Sequence, residues 1–133
     1  CLFGLEGLAA RWAAERATEE DVQKLKEILD LQEFYTQKQD PESIKNADSR
    51  FHQTIYALCG SHSMQDTLEP LHRKLLKYRR VSVSAQSRAQ KSLEEHRAIY
   101  EAIAARDGEK AEALTIQHVK NARDSILQRG IAQ

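Results

Sequence analysis

Asp48 and His52 stand four residues apart in the stretch "NADSRFHQTIYALCG", residues 46–60. On a helix that spacing brings an acid and an imidazole to one side with their tips able to converge. The stretch reads as an apolar helix, and the pair lies on the flank expected to face a core rather than solvent. His96 follows the same logic in "SLEEHRAIYEAIAARD", in phase with Leu93, Ile99 and Ile103. His118 does so in a third stretch, among Leu114, Val119 and Ala122. An acid and three imidazoles projecting from three helices into one interior are the raw material of a metal site in a helical bundle.

Two readings of these residues stand side by side. In one, each histidine is a hydrogen-bonded core or boundary residue, and Asp48 with His52 is a helix ion pair worth a few tenths of a kcal/mol. In the other the four groups share an ion. Three imidazoles and one carboxylate without a thiolate suit a divalent transition metal, whether zinc, nickel, manganese or iron(II), and do not suit calcium. Four protein ligands leave two positions of an octahedral metal for water or the oxygens of a small carboxylate. His62, in the "GSHS" turn, and His72, beside Leu71, are expected at solvated or boundary positions.

Arginine supplies the complementary chemistry. Arg79 and Arg80 close the fourth helical stretch and Arg88 follows the soft "SVSAQS" segment; one of them facing the interior could clamp a carboxylate in bidentate fashion. Tyr56, one turn beyond His52, is placed to line the same cavity. Nothing adds catalytic machinery: there is no HExxH, no ExxH pair of a di-iron bundle and no glycine-rich phosphate loop.

The elements that must position these groups are helical. With 5 Gly and 2 Pro in 133 residues and abundant Ala, Leu, Glu, Lys, Arg and Gln, no stretch alternates with the period of a strand. A first helix carries Leu2, Leu5, Leu8, Ala9, Trp12 and Ala13 to about Arg16. "TEED" at Thr18 is a capping-box pattern opening a second that ends near Lys38. Asp40 and Pro41 open a third, running to Cys59 and stopped by Gly60. Ser61 or Ser63 starts a fourth, with Pro70 as a candidate kink. A break over 84–88 precedes the fifth, and Gly108 stops it, with Asp107 capping a sixth that reaches about Arg129. The expectation is an all-α fold, a single antiparallel bundle of about six helices over residues 1–133.

Composition narrows the function. Twenty basic and twenty acidic residues balance to a formal charge of +0, which lacks the electrostatic footprint of a stand-alone nucleic-acid binder. Two cysteines make no disulfide framework, so a reducing cytoplasm is expected. No apolar run is long enough for a membrane span. The chain starts at Cys1 already in helical pattern, which suggests a domain N-terminal to it.

"LEGLAARWAAERATEEDVQKL", "ADSRFHQTIYALCGS", "SLEEHRAIYEAIAARDGEKAEAL" and "QHVKNA" together resemble the FCD domain, the C-terminal effector domain of FadR-subfamily, GntR-type bacterial transcription regulators. The resemblance runs from about Leu5 to Ala122. It implies a metal on Asp48, His52, His96 and His118, with a small organic or sugar acid held beside it, and so a ligand-sensing domain rather than an enzyme. It also implies a homodimer, and DNA contact only through a winged helix-turn-helix domain N-terminal to this chain. Many members carry an effector-binding arginine a few residues before the "LE"; Leu2 and Phe3 occupy that neighbourhood here, so no residue receives that role. The rival reading is a metal-dependent enzyme on a helical bundle, similar to the DinB-like proteins. A plain helical dimerisation module with structural histidines is a third.

Overall fold

The computed structural model describes residues 2–83 and 86–132, without the side chains of 2, 3, 75–83, 86, 126 and 128–132. Six helices make up these residues: α1 (Leu2–Arg16), α2 (Glu19–Lys38), α3 (Pro41–Leu58), α4 (His62–Val83), α5 (Gln86–Ala104) and α6 (Gly108–Ala132). They form an antiparallel bundle in which α1 lies along α6, α2 along α3 and α5, α5 along α6, and α3 along α4.

The ends of the helices are set by short-range chemistry. Thr18 Oγ1 accepts from the Asp21 amide at 3.1 Å while the Thr18 amide donates to Asp21 Oδ2 at 3.0 Å, a complete capping box. Asp40 caps α3 ahead of Pro41, Ser61 caps α4 through the Met64 amide, and Asp107 caps α6 through the Lys110 amide. Gly60, at φ +79°, turns the chain out of α3 in a conformation that only glycine adopts without strain.

Three expectations are corrected. Gly108 is the first residue of α6 rather than the stop of α5; α5 ends at Ala104, and Arg106 takes the left-handed conformation at φ 62° instead. Helix α5 already includes 86–88, which were expected to lie in a break over 84–88. Helix α6 continues past Arg129 to Ala132. Helix α4 runs through Pro70, which has no N–H to give to the carbonyl four residues back and so removes one hydrogen bond from the helix.

The core has a graded composition. Ala10, Ala13 and Ala14 of α1 are fully buried, and their small side chains let α1 approach its neighbours closely. Gly7 marks a close approach, where a Cβ would lie 2.8 Å from Ile116 Cγ1 of α6. Leu25, Ile28, Leu29, Phe51, Ile55, Ile99 and Ile103 fill the middle of the bundle. Phe51 then stacks on the His96 ring, centroids 4.2 Å apart and 14° from parallel, so the apolar core is the floor on which the polar cluster rests.

Candidate metal centre

Asp48 and His52 come from α3, His96 from α5 and His118 from α6. All four are buried, at 3%, 2%, 0% and 2% relative exposure. One ligand atom from each lies within 4.8 Å of all the others. The three histidines predicted from separate stretches, and the predicted acid, therefore meet in one place. The register of each helix explains it: Phe51 and Ile55 on α3, and Ile99 and Ile103 on α5, are buried in the same core and fix which flank each helix turns inwards.

The hydrogens in the cluster follow from its outer contacts. His96 Nδ1 meets Gln32 Oε1 at 2.9 Å and His118 Nδ1 meets Glu95 Oε1 at 2.7 Å. Neither an amide oxygen nor an ionised carboxylate can donate, so in both contacts the imidazole Nδ1 carries the hydrogen. Both Nε2 atoms then face inwards, 3.1 Å from one another, with His96 Nε2 3.3 Å from Asp48 Oδ1. His52 Nε2 is buried, makes no hydrogen bond and lies 3.7 Å from the same Asp48 oxygen. Electron-rich atoms held this close repel unless positive charge, a proton or a metal ion, sits among them. The two shortest separations, 3.1 and 3.3 Å, are those of neighbouring ligand atoms on one ion with bonds of about 2.0–2.1 Å, and the whole set lies within 4.8 Å.

Glu95 is the outer anchor of the cluster. Besides His118 it accepts from Arg88 Nη2 at 2.8 Å on Oε1 and from Asn121 Nδ2 at 2.7 Å on Oε2. Burial pushes its carboxyl up, but the hydrogen bonds from His118, Arg88 and Asn121 outweigh burial and its pKa is lowered to about 2.

The remaining sequence-predicted residues fall as follows. Arg88 is buried and faces Glu95 from the α5–α6 side, in a cleft of about 570 Å³ that also includes Lys91, Asn121 and Asp124. Tyr56 is buried and donates its hydroxyl to Glu6 Oε1 at 3.0 Å, with its ring 6.5 Å from that of His52. The side chains of Arg79 and Arg80 lie outside the described residues. His62 is exposed, as expected. His72 is not at a solvated or boundary position: it is 1% exposed, its ring centroid 5.3 Å from that of His52 and its Nε2 3.4 Å from Ser49 Oγ. The reason is α4 packing against α3, which encloses the face that also carries Leu68.

Two site residues escaped the sequence reading. Gln32 is a polar residue in phase with Leu25, Ile28 and Leu29, and that phase was the available signal. Glu95 offered none, because beside Glu94 it looks like one more acid on a solvated face.

The chain has relatives of known family. Residues 2–121 match the FCD domain family model. The chain is 32% identical over 117 residues to the galactonate operon transcriptional repressor of Escherichia coli K12, covering 84% of this chain and 49% of that protein. It is 27% identical over 124 residues to the E. coli K12 transcriptional repressor RspR, covering 93% and 54%. This chain thus spans about half the length of these relatives. Among solved structures, E. coli McbR/YncC superposes with a TM-score of 0.86 over 96% of this chain and 61% of that one, at 21% identity, a likeness of fold.

Proposed function

The chain belongs to the FCD domain family of GntR-type transcription regulators, and on that premise we propose that it senses a small carboxylate beside a divalent metal ion held by Asp48, His52, His96 and His118. The observation that carries this reading is the inward convergence of imidazole Nε2 atoms on Asp48 while the outer nitrogens of His96 and His118 are committed to Gln32 and Glu95. With their Nδ1 atoms taken up outside, His96 and His118 have only Nε2 left to offer the interior, which is what two ligands of one ion require. A six-coordinate metal bound there would supply a Lewis acid with two positions left for carboxylate oxygens.

The chain's own residues complete the effector site. Tyr56 stands one turn beyond His52 on α3, its ring 6.5 Å from that of His52, and lines the site. Arg88, one carboxylate away from His118, is the cationic contact. One relative is named for the galactonate operon, and galactonate is a polyhydroxy carboxylate, so hydroxy acids head the class to screen. In the intact regulator, a dimer whose DNA-binding domain precedes this one, the effector acts by its differential affinity for two packings of the bundle. Such coupling is typically about 1–3 kcal/mol.

Elemental analysis tests the metal. The purified chain, dialysed exhaustively without chelator, is expected to keep about one equivalent of a transition metal, and His96→Ala to lose it. Absence of metal from both would return the histidines to a structural role. For the effector, a hydroxy acid that binds the full-length protein without altering its affinity for DNA would refute the sensing role.

A further inference from the structure

Whatever lies between the inner nitrogens, the outer nitrogens of His96 and His118 are held by chemically unequal partners. His96 Nδ1 donates to a neutral amide oxygen on α2, and Gln32 is fully buried. His118 Nδ1 donates to a carboxylate, and at 2.7 Å the bond has the length of a charge-assisted one. Glu95 precedes His96 in the chain, yet successive helical residues point about 100° apart. The turn that aims His96 into the core therefore aims Glu95 across to α6.

We propose that Glu95 is the positioning residue for His118 and makes it the more basic of the two imidazoles towards a metal, with Gln32 the weaker counterpart behind His96. The proposal rests on the metal reading above and goes beyond it to the strength of individual ligands. A carboxylate drawing on Nδ1–H raises the electron density at Nε2; an amide oxygen does so less. Arg88 reaches both carboxylate oxygens, Nη2 to Oε1 at 2.8 Å and Nη1 to Oε2 at 3.4 Å, and Asn121 donates to Oε2, so the carboxylate does not swing out to solvent. The geometry has a second consequence. Glu95 lines the α5–α6 cleft, whereas Gln32 has no exposed surface. His118 is thus the buried ligand whose basicity is open to what enters that cleft, and His96 is shielded.

The test uses zinc alone as probe, titrated into the purified chain in competition with a chelating dye. Glu95→Gln keeps the shape and removes the charge, and is expected to weaken zinc binding about 10–100-fold. Gln32→Leu is expected to weaken it by a smaller factor. In a His118→Ala background, Glu95→Gln is expected to change zinc affinity less than about twofold, because the ring it acts on is gone. Nitrogen NMR of the metal-free chain gives an independent readout: the His118 Nδ1–H form predominates in the wild type and loses that predominance in Glu95→Leu. Wild-type zinc affinity in Glu95→Gln, or an equal loss with and without His118, overturns the proposal. Should the wild type take up no zinc, the metal reading fails, and an unchanged His118 tautomer in Glu95→Leu then overturns the positioning role as well.

Discussion

Zinc should stabilise the folded chain by an amount that follows from where the four ligands sit. Asp48 and His52 belong to one helix, but His96 and His118 are 44 and 66 residues further along the chain than His52, and all four are buried only because α3, α5 and α6 are packed. The complete set therefore exists in the native state and not in the unfolded one, and the ion stabilises by RT ln(1 + [Zn]/Kd). At free zinc one hundred times Kd this is about 2.7 kcal/mol. For a chain of this size each kcal/mol moves Tm by roughly 3–5 °C, which gives a rise of roughly 10 °C. In His96→Ala, with affinity lowered about a hundredfold, the same zinc concentration contributes only about 0.4 kcal/mol, or roughly 1–2 °C. Circular dichroism melts at fixed protein concentration, with and without zinc, measure both increments. The variant's own Tm falls because of the cavity, so the comparison is between increments. Equal increments in the two proteins would refute a site that needs His96.

Four further outcomes follow from packing and capping. Gly7→Val places branched carbons where a single Cβ already meets Ile116 at 2.8 Å and Glu112 at 3.0 Å, and should cost about 1–3 kcal/mol in urea unfolding, partly recovered by Ile116→Ala. Thr18→Ala removes the side-chain half of the capping box and should cost about 1 kcal/mol, with zinc affinity unchanged in dye competition. Phe51→Ala should cost about 3–5 kcal/mol and also weaken zinc binding, because it removes the ring stacked on His96; a loss of stability with full zinc affinity would contradict the supporting role. His72→Phe should retain one equivalent of metal, since His72 is buried beside the cluster without belonging to it; loss of metal in elemental analysis would add it to the ligand set.

Most of what could be foreseen in this chain is local. The caps at Thr18, Asp40, Ser61 and Asp107 act over three residues, and Asp48 with His52 act over four, so their types and spacing alone determined helix ends and the half-site on α3. The inward turn of His96 and His118 was legible too, because burial of Ile99, Ile103 and Val119 fixes the phase of a helix whatever it packs against. Gly108 shows the limit even of local signals: glycine serves the end of one helix or the start of the next, and Arg106 took the left-handed turn that glycine was expected to supply. The distances within the cluster were decided only in three dimensions, as were the burial of His72 under α4 against α3 and the reach of Glu95 to His118 rather than to its neighbour His96. These depend on the rotation and offset of one helix against another. That alignment is set by contacts such as Gly7 on Ile116 and Phe51 on His96, whose partners lie tens of residues away, and no periodicity within a single helix encodes it.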